Sequence, residues 1–65
     1  MLSIRTQDRK SLLIYTGVEV VDSYIYMKGK SYFLGQYKSK ERALELIDDI
    51  QDAIYNISVY EMPKE

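Results

Sequence analysis

Two arginines, a glutamine and a set of tyrosines are the residues here whose types and spacing could do chemistry. Arg42 stands three residues past Ser39, at the start of a segment with helical spacing. A helix start offers unbonded N–H groups and the positive end of the backbone dipole. An arginine added there makes a seat for a phosphate or a carboxylate. The plainer alternative is a stem packed on the sheet with its charge at the surface. Arg5, Gln7 and Asp8 form a dense polar group that reads as solvated surface or as part of a binding site. Seven residues are Tyr and none is Trp. A tyrosine joins an apolar ring to a polar tip and suits a half-wet surface. Tyr24, Tyr26, Tyr32, Tyr37 and Tyr60 fall in segments that read as strands. There they either fill the core and cover sheet edges, or form a stacking platform for a planar ligand or an aromatic interface.

Other chemistry is excluded by what is missing. The sequence has no His and no Cys. Ser-His and Cys-His nucleophile systems, Cys/His zinc sites and disulfides are therefore out of reach. The glycines are isolated at positions 17, 29 and 35, so there is no Gly-rich phosphate loop. Asp48, Asp49 and Asp52 cluster on one helix face without a loop to complete a coordination sphere. No metal, no cofactor and no catalysis are expected.

These residues work on a small frame. A chain of 65 residues makes one domain, spanning residues 1–65. Such a domain buries about 60% of the surface its unfolded chain exposes, enough for one helix on one sheet. Without a disulfide or metal staple, packing and self-association remain as sources of stability. A hydrophobic fraction of 46% supplies side chains for both, so a homo-oligomer is expected. No apolar run has the length of a signal peptide or of a membrane span, which points to the cytoplasm and away from membranes. Nine basic residues against ten acidic ones argue against a nucleic-acid partner.

The spacing predicts a helix over Lys40–Asn56, with Ser39 as its N-cap and Glu41 in its first turn. Ala43, Ile47, Ile50 and Ile54 recur on one helical face, with Leu44 on one flank and Leu46 and Ala53 on the other. Glu41, Glu45, Asp48, Asp49 and Asp52 take the opposite face. The apolar arc exceeds the roughly 100° one sheet needs, and the surplus suits a second subunit. Abundant Val, Ile and Tyr predict strands at Leu12–Tyr15, Val18–Met27 and Ser31–Tyr37, with short strands at Ser3–Thr6 and Ile57–Met62. Thr16-Gly17 and Lys28-Gly29-Lys30 are the turn signals, and Pro63 ends the last strand. Val18–Met27 changes parity midway, which requires two covered faces or a bulge near Asp22-Ser23. The expected fold is α+β: a mainly antiparallel sheet of three to five strands with the helix across one face. The other face carries tyrosines and needs water, a ligand or another subunit.

Three segments carry a resemblance: Ile4-Arg5-Thr6-Gln7-Asp8, then Leu34-Gly35-Gln36-Tyr37-Lys38-Ser39-Lys40-Glu41-Arg42-Ala43-Leu44-Glu45, then Tyr60-Glu61-Met62-Pro63. Together they resemble a family of very short proteins of phages and mobile elements of Gram-positive bacteria. The resemblance spans nearly the whole chain, includes no catalytic motif and implies an accessory viral protein. By analogy, small phage proteins of this type look like anti-defence sponges, such as anti-Thoeris proteins, which assemble and sequester ADP-ribose-like immune signals.

That analogy assigns roles. Arg5 and Arg42 would hold phosphates, Tyr32 and Tyr60 would stack on a base, and Gln7 would read polar groups. Two alternatives stand beside it. One is a protein-binding inhibitor of a bacterial defence system, anti-CRISPR-like, using the acidic helix face or a sheet edge. The other is a structural or regulatory phage module without a ligand.

Overall fold

In the computed structural model, which describes residues 1–29 and 32–64, the helix starts where its cap predicts. The Ser39 hydroxyl accepts the backbone N–H of Arg42 at 3.1 Å, satisfying one of the donors a helix start leaves open. The helix, α1, runs over Lys40–Asn56. Asn56 closes it: its Nδ2 donates to the Asp52 carbonyl at 2.8 Å, and the Ile57 N–H returns to the Ala53 carbonyl. The strands are β1 (Ser3–Arg5), β2 (Leu12–Ile14), β3 (Val18–Val21), β4 (Tyr24–Met27), β5 (Tyr32–Gln36) and β6 (Val59–Glu61). The α+β class is as expected, but the strands form two three-stranded sheets rather than one. Their orders are β2-β1-β6 and β3-β4-β5. The pairing of β1 with β6 is parallel and the other strand pairs are antiparallel.

The expected strand over Val18–Met27 is two strands. Asp22 takes φ 54° and, with Ser23, turns the chain so that Val21 pairs with Tyr24. Aspartate tolerates this left-handed conformation better than most residues. The change of parity is thereby explained. Val18 and Val20 lie opposite Met27 and Ile25 on the inner face, whereas Glu19 and Val21 lie opposite Tyr26 and Tyr24 on the outer face. The register irregularity falls instead between β4 and β5. Ile25 pairs with Gly35 and Tyr26 with Phe33, which leaves Leu34 as the extra residue of a bulge. Lys30 and Ser31, of the expected turn and strand, lie outside the described residues.

The core joins both sheets to the helix. Ile4 comes from the first sheet, Ile25, Met27 and Leu34 from the second, and Ala43, Leu46, Ile50 and Ala53 from α1; Met62 closes one end. The helix is rotated from its expected phase. Leu46 is fully buried, whereas Ile54, expected at the centre of the stripe, is 42% exposed. The helix meets β3, β4 and β6, and this groove takes the Leu46–Ala53 side.

Candidate functional site

Turning Ile25 and Met27 inward forces Tyr24 and Tyr26 outward, because strand side chains alternate. The Leu34 bulge then brings Phe33 opposite Tyr26. The three rings make one cluster on the outer face of β3-β4-β5. Tyr24 and Tyr26 stack with centroids 6.4 Å apart, and Phe33 stands 5.7 Å from Tyr26 in an edge-on arrangement and 6.1 Å from Tyr24. These are favourable aromatic geometries. The helix covers the other face of this sheet. Phe33, Tyr24 and neighbouring Val21 remain exposed. Asp22, in the turn at one end of β4, and Lys28, just past its other end, are also exposed.

The free edge of β5 is closed by Gln7. Its N–H donates to the Leu34 carbonyl at 2.8 Å. Its side-chain amide bonds the Gln36 backbone both ways: Nε2 donates to the carbonyl at 3.0 Å and Oε1 accepts the N–H at 2.9 Å. A glutamine amide reproduces the donor–acceptor pair of a neighbouring strand. Gln7, expected to read a ligand's polar groups, thus ties the first sheet's hairpin to the second sheet. Tyr37 crosses the same edge. It is buried, and its hydroxyl donates to the Pro63 carbonyl at 2.9 Å. Only glycine fits beneath it, since a Cβ at Gly35 would lie 2.8 Å from the Tyr37 hydroxyl oxygen and 3.1 Å from the Gln7 Cβ.

Arg5 lies in β1, opposite Leu12 and Glu61. The hairpin beyond it is tightly bonded. The Thr6 hydroxyl donates to Asp8 Oδ1 at 2.6 Å, and Asp8 Oδ1 also accepts the Lys10 N–H at 2.9 Å. The Thr6 bond, then the Lys10 bond, hold the Asp8 carboxyl below the usual aspartate range. The turn ends on Arg9 at φ 68°. Arg5 Nη1 donates to the Arg9 carbonyl at 3.4 Å, and Arg9 Nη1 stands 3.5 Å from Glu61 Oε1. The latter contact is an ion pair too long to satisfy the N–H as a hydrogen bond. Among the described residues Arg5 Nε and Arg9 Nη1 are enclosed without a hydrogen-bond partner.

The remaining expected site residues occupy different settings. Arg42 pairs through Nη1 with Glu45 Oε1 at 3.1 Å, one helical turn on. Tyr60 sits opposite Ile4, so its ring packs on the core side of the first sheet, where it is half-buried. Tyr32 is exposed at the start of β5. The aromatic cluster is instead Tyr24, Tyr26 and Phe33. The shared parity of the two tyrosines was the sequence signal for it; Phe33 joins them only through the bulge. Arg9 carries no comparable signal, as a charged residue in a polar turn. The other sheet also has an open outer face, bearing Leu12, Ile14 and Val59 beside Arg5. Among the described residues no pocket forms, no group of acidic residues could hold a metal ion, and no helix is long and apolar enough to cross a membrane. Comparison with protein-family models, with curated proteins and with solved structures finds no match for this chain.

Proposed function

We propose that this protein acts by binding rather than catalysis, as a homo-oligomer paired through the aromatic face of β3-β4-β5. The observation that carries this reading is the half-open cluster of Tyr24, Tyr26 and Phe33. Aromatic rings with polar tips are enriched where one protein surface meets another. A chain of 65 residues without disulfides gains more from covering such a face than a larger domain does. The charges suit a second copy. A two-fold axis lying between the two faces and running across the strands would bring exposed Asp22 toward Lys28 of the partner subunit, and the reverse. The outer face of β2-β1-β6, with Leu12, Ile14 and Val59, offers a route to larger assemblies.

The proposed cargo is a nucleotide-derived, ADP-ribose-like signal, and the proposed role is anti-defence. The support for both is the resemblance to short phage proteins and the sponge analogy, together with the arginines at positions 5 and 42. An inhibitor that binds a protein of a host defence system is the second reading. It is favoured by the same aromatic face if that face stays open in solution.

Sedimentation equilibrium at micromolar concentration tests the assembly. The wild type is expected to sediment above 7.7 kDa, and folded Tyr24→Ser and Phe33→Ser variants at the monomer mass. A wild type at monomer mass overturns the assembly and makes the inhibitor the leading reading. Thermal unfolding with ADP-ribose and cyclic ADP-ribose isomers tests the cargo, because a ligand that binds only the folded state raises Tm. No rise with any of them overturns it.

A further inference from the structure

We infer that Arg5 and Arg9 form a seat for a phosphate group, closed in this structure by the Glu61 carboxylate. The inference goes beyond the assembly proposed above and stands whether or not the aromatic face pairs.

The two arginines share the base of the β1–β2 hairpin: Arg5 Nη1 donates to the Arg9 backbone carbonyl at 3.4 Å, and Arg9 Nη1 faces Glu61, the β6 neighbour of Arg5. Among the described residues one nitrogen of each, Arg5 Nε and Arg9 Nη1, is enclosed with no hydrogen-bond partner. Enclosed charged N–H groups left unbonded are costly and uncommon. Among the described residues the one carboxylate paired with either is Glu61. It approaches only to 3.5 Å and its side chain is 66% exposed. Glu61 therefore shields the pair without satisfying it.

The backbone adds a second cost at the same place. Arg9 holds φ 68°, a conformation that glycine or asparagine would adopt more easily. The turn keeps an arginine where an arginine is strained. Such local strain marks positions where the side chain serves a purpose other than stability.

A phosphate meets what the pair lacks. It offers several acceptor oxygens to the planar forks of two arginines, and it brings up to two negative charges where Glu61 brings one. The exposed Glu61 side chain is the group that a phosphate would displace from Arg9. Arg9, which the sequence did not mark, joins Arg5 at this place.

Titration with inorganic phosphate, at constant ionic strength and followed by amide NMR and calorimetry, tests the seat. Wild type is expected to bind with shifts at Arg5, Arg9 and Glu61. Glu61→Gln removes the competing carboxylate and is expected to bind more tightly. Arg9→Gly suits the left-handed turn, so it is expected to fold at least as well as wild type while losing phosphate affinity by about tenfold or more. Arg5→Gln is expected to lose as much. Acetate in place of phosphate separates a phosphate seat from a general carboxylate seat, and equal binding of the two overturns the assignment. So do an unchanged affinity in Glu61→Gln, or Arg9→Gly binding phosphate as well as wild type.

Discussion

At the scale of single residues, the second sheet is held by an exchange between a missing side chain and two present ones. Gly35 has room for nothing larger because the Tyr37 ring lies across it and Gln7 passes beside it. Gly35→Ala forces the Tyr37 hydroxyl, the nearest atom at 2.8 Å, out of its bond to the Pro63 carbonyl. Overpacking of this kind costs about 1–3 kcal/mol, a large part of the stability of a small domain. Tyr37→Phe removes both the hydroxyl and that clash. In urea titrations Gly35→Ala with Tyr37→Phe is expected to lose less than the sum of the single losses. Additive losses would mean that the hydroxyl is not what glycine makes room for. Neither role was legible in the sequence. Gln7 and Gln36 are far apart in the chain, and the identity of an exposed glutamine says nothing about which backbone it will bond.

At the scale of elements, local signals were legible and non-local ones were not. Ser39, the 3.6-residue spacing and Asn56 fix both ends of α1 because each acts within one turn of the chain. The residue types predict one continuous strand over Val18–Met27 because its turn, Asp22-Ser23, has neither glycine nor proline to mark it. The parity change was its only trace. The helix phase depends on which groove the sheets offer, and that is set by their packing. Leu46 and Ile54 separate the two phases. Leu46→Ala, at a fully buried position, is expected to cost about 2–5 kcal/mol in urea unfolding. Ile54→Ala, at 42% exposure, is expected to cost well under half of that. The reverse order would restore the phase read from spacing alone.

At the scale of the whole molecule, one helix covers the inner side of the strands and leaves both outer faces open, one aromatic and one aliphatic. The sequence made the aromatic face foreseeable as a surface in need of cover. What it could not show was how the charges border that face, because Asp22 and Lys28 take opposite ends only once the Asp22-Ser23 turn is in place. In the proposed dimer, a two-fold axis running across the strands makes two symmetry-related contacts between Asp22 and Lys28 of the partner subunit. Each is a rim ion pair worth about 0.2–1 kcal/mol. Asp22→Asn keeps a residue that tolerates φ 54° and removes both contacts at once. Lys28→Gln removes the same two from the other side. Each variant is expected to weaken assembly by a similar amount, and the double variant by no more than either alone. Assembly of the wild type is expected to weaken with added salt, because rim charges are screened over about 10 Å at 0.1 M. Analytical ultracentrifugation across a salt series measures both effects. Fully additive losses, or assembly indifferent to both variants and to salt, would show that the two copies do not meet in this orientation.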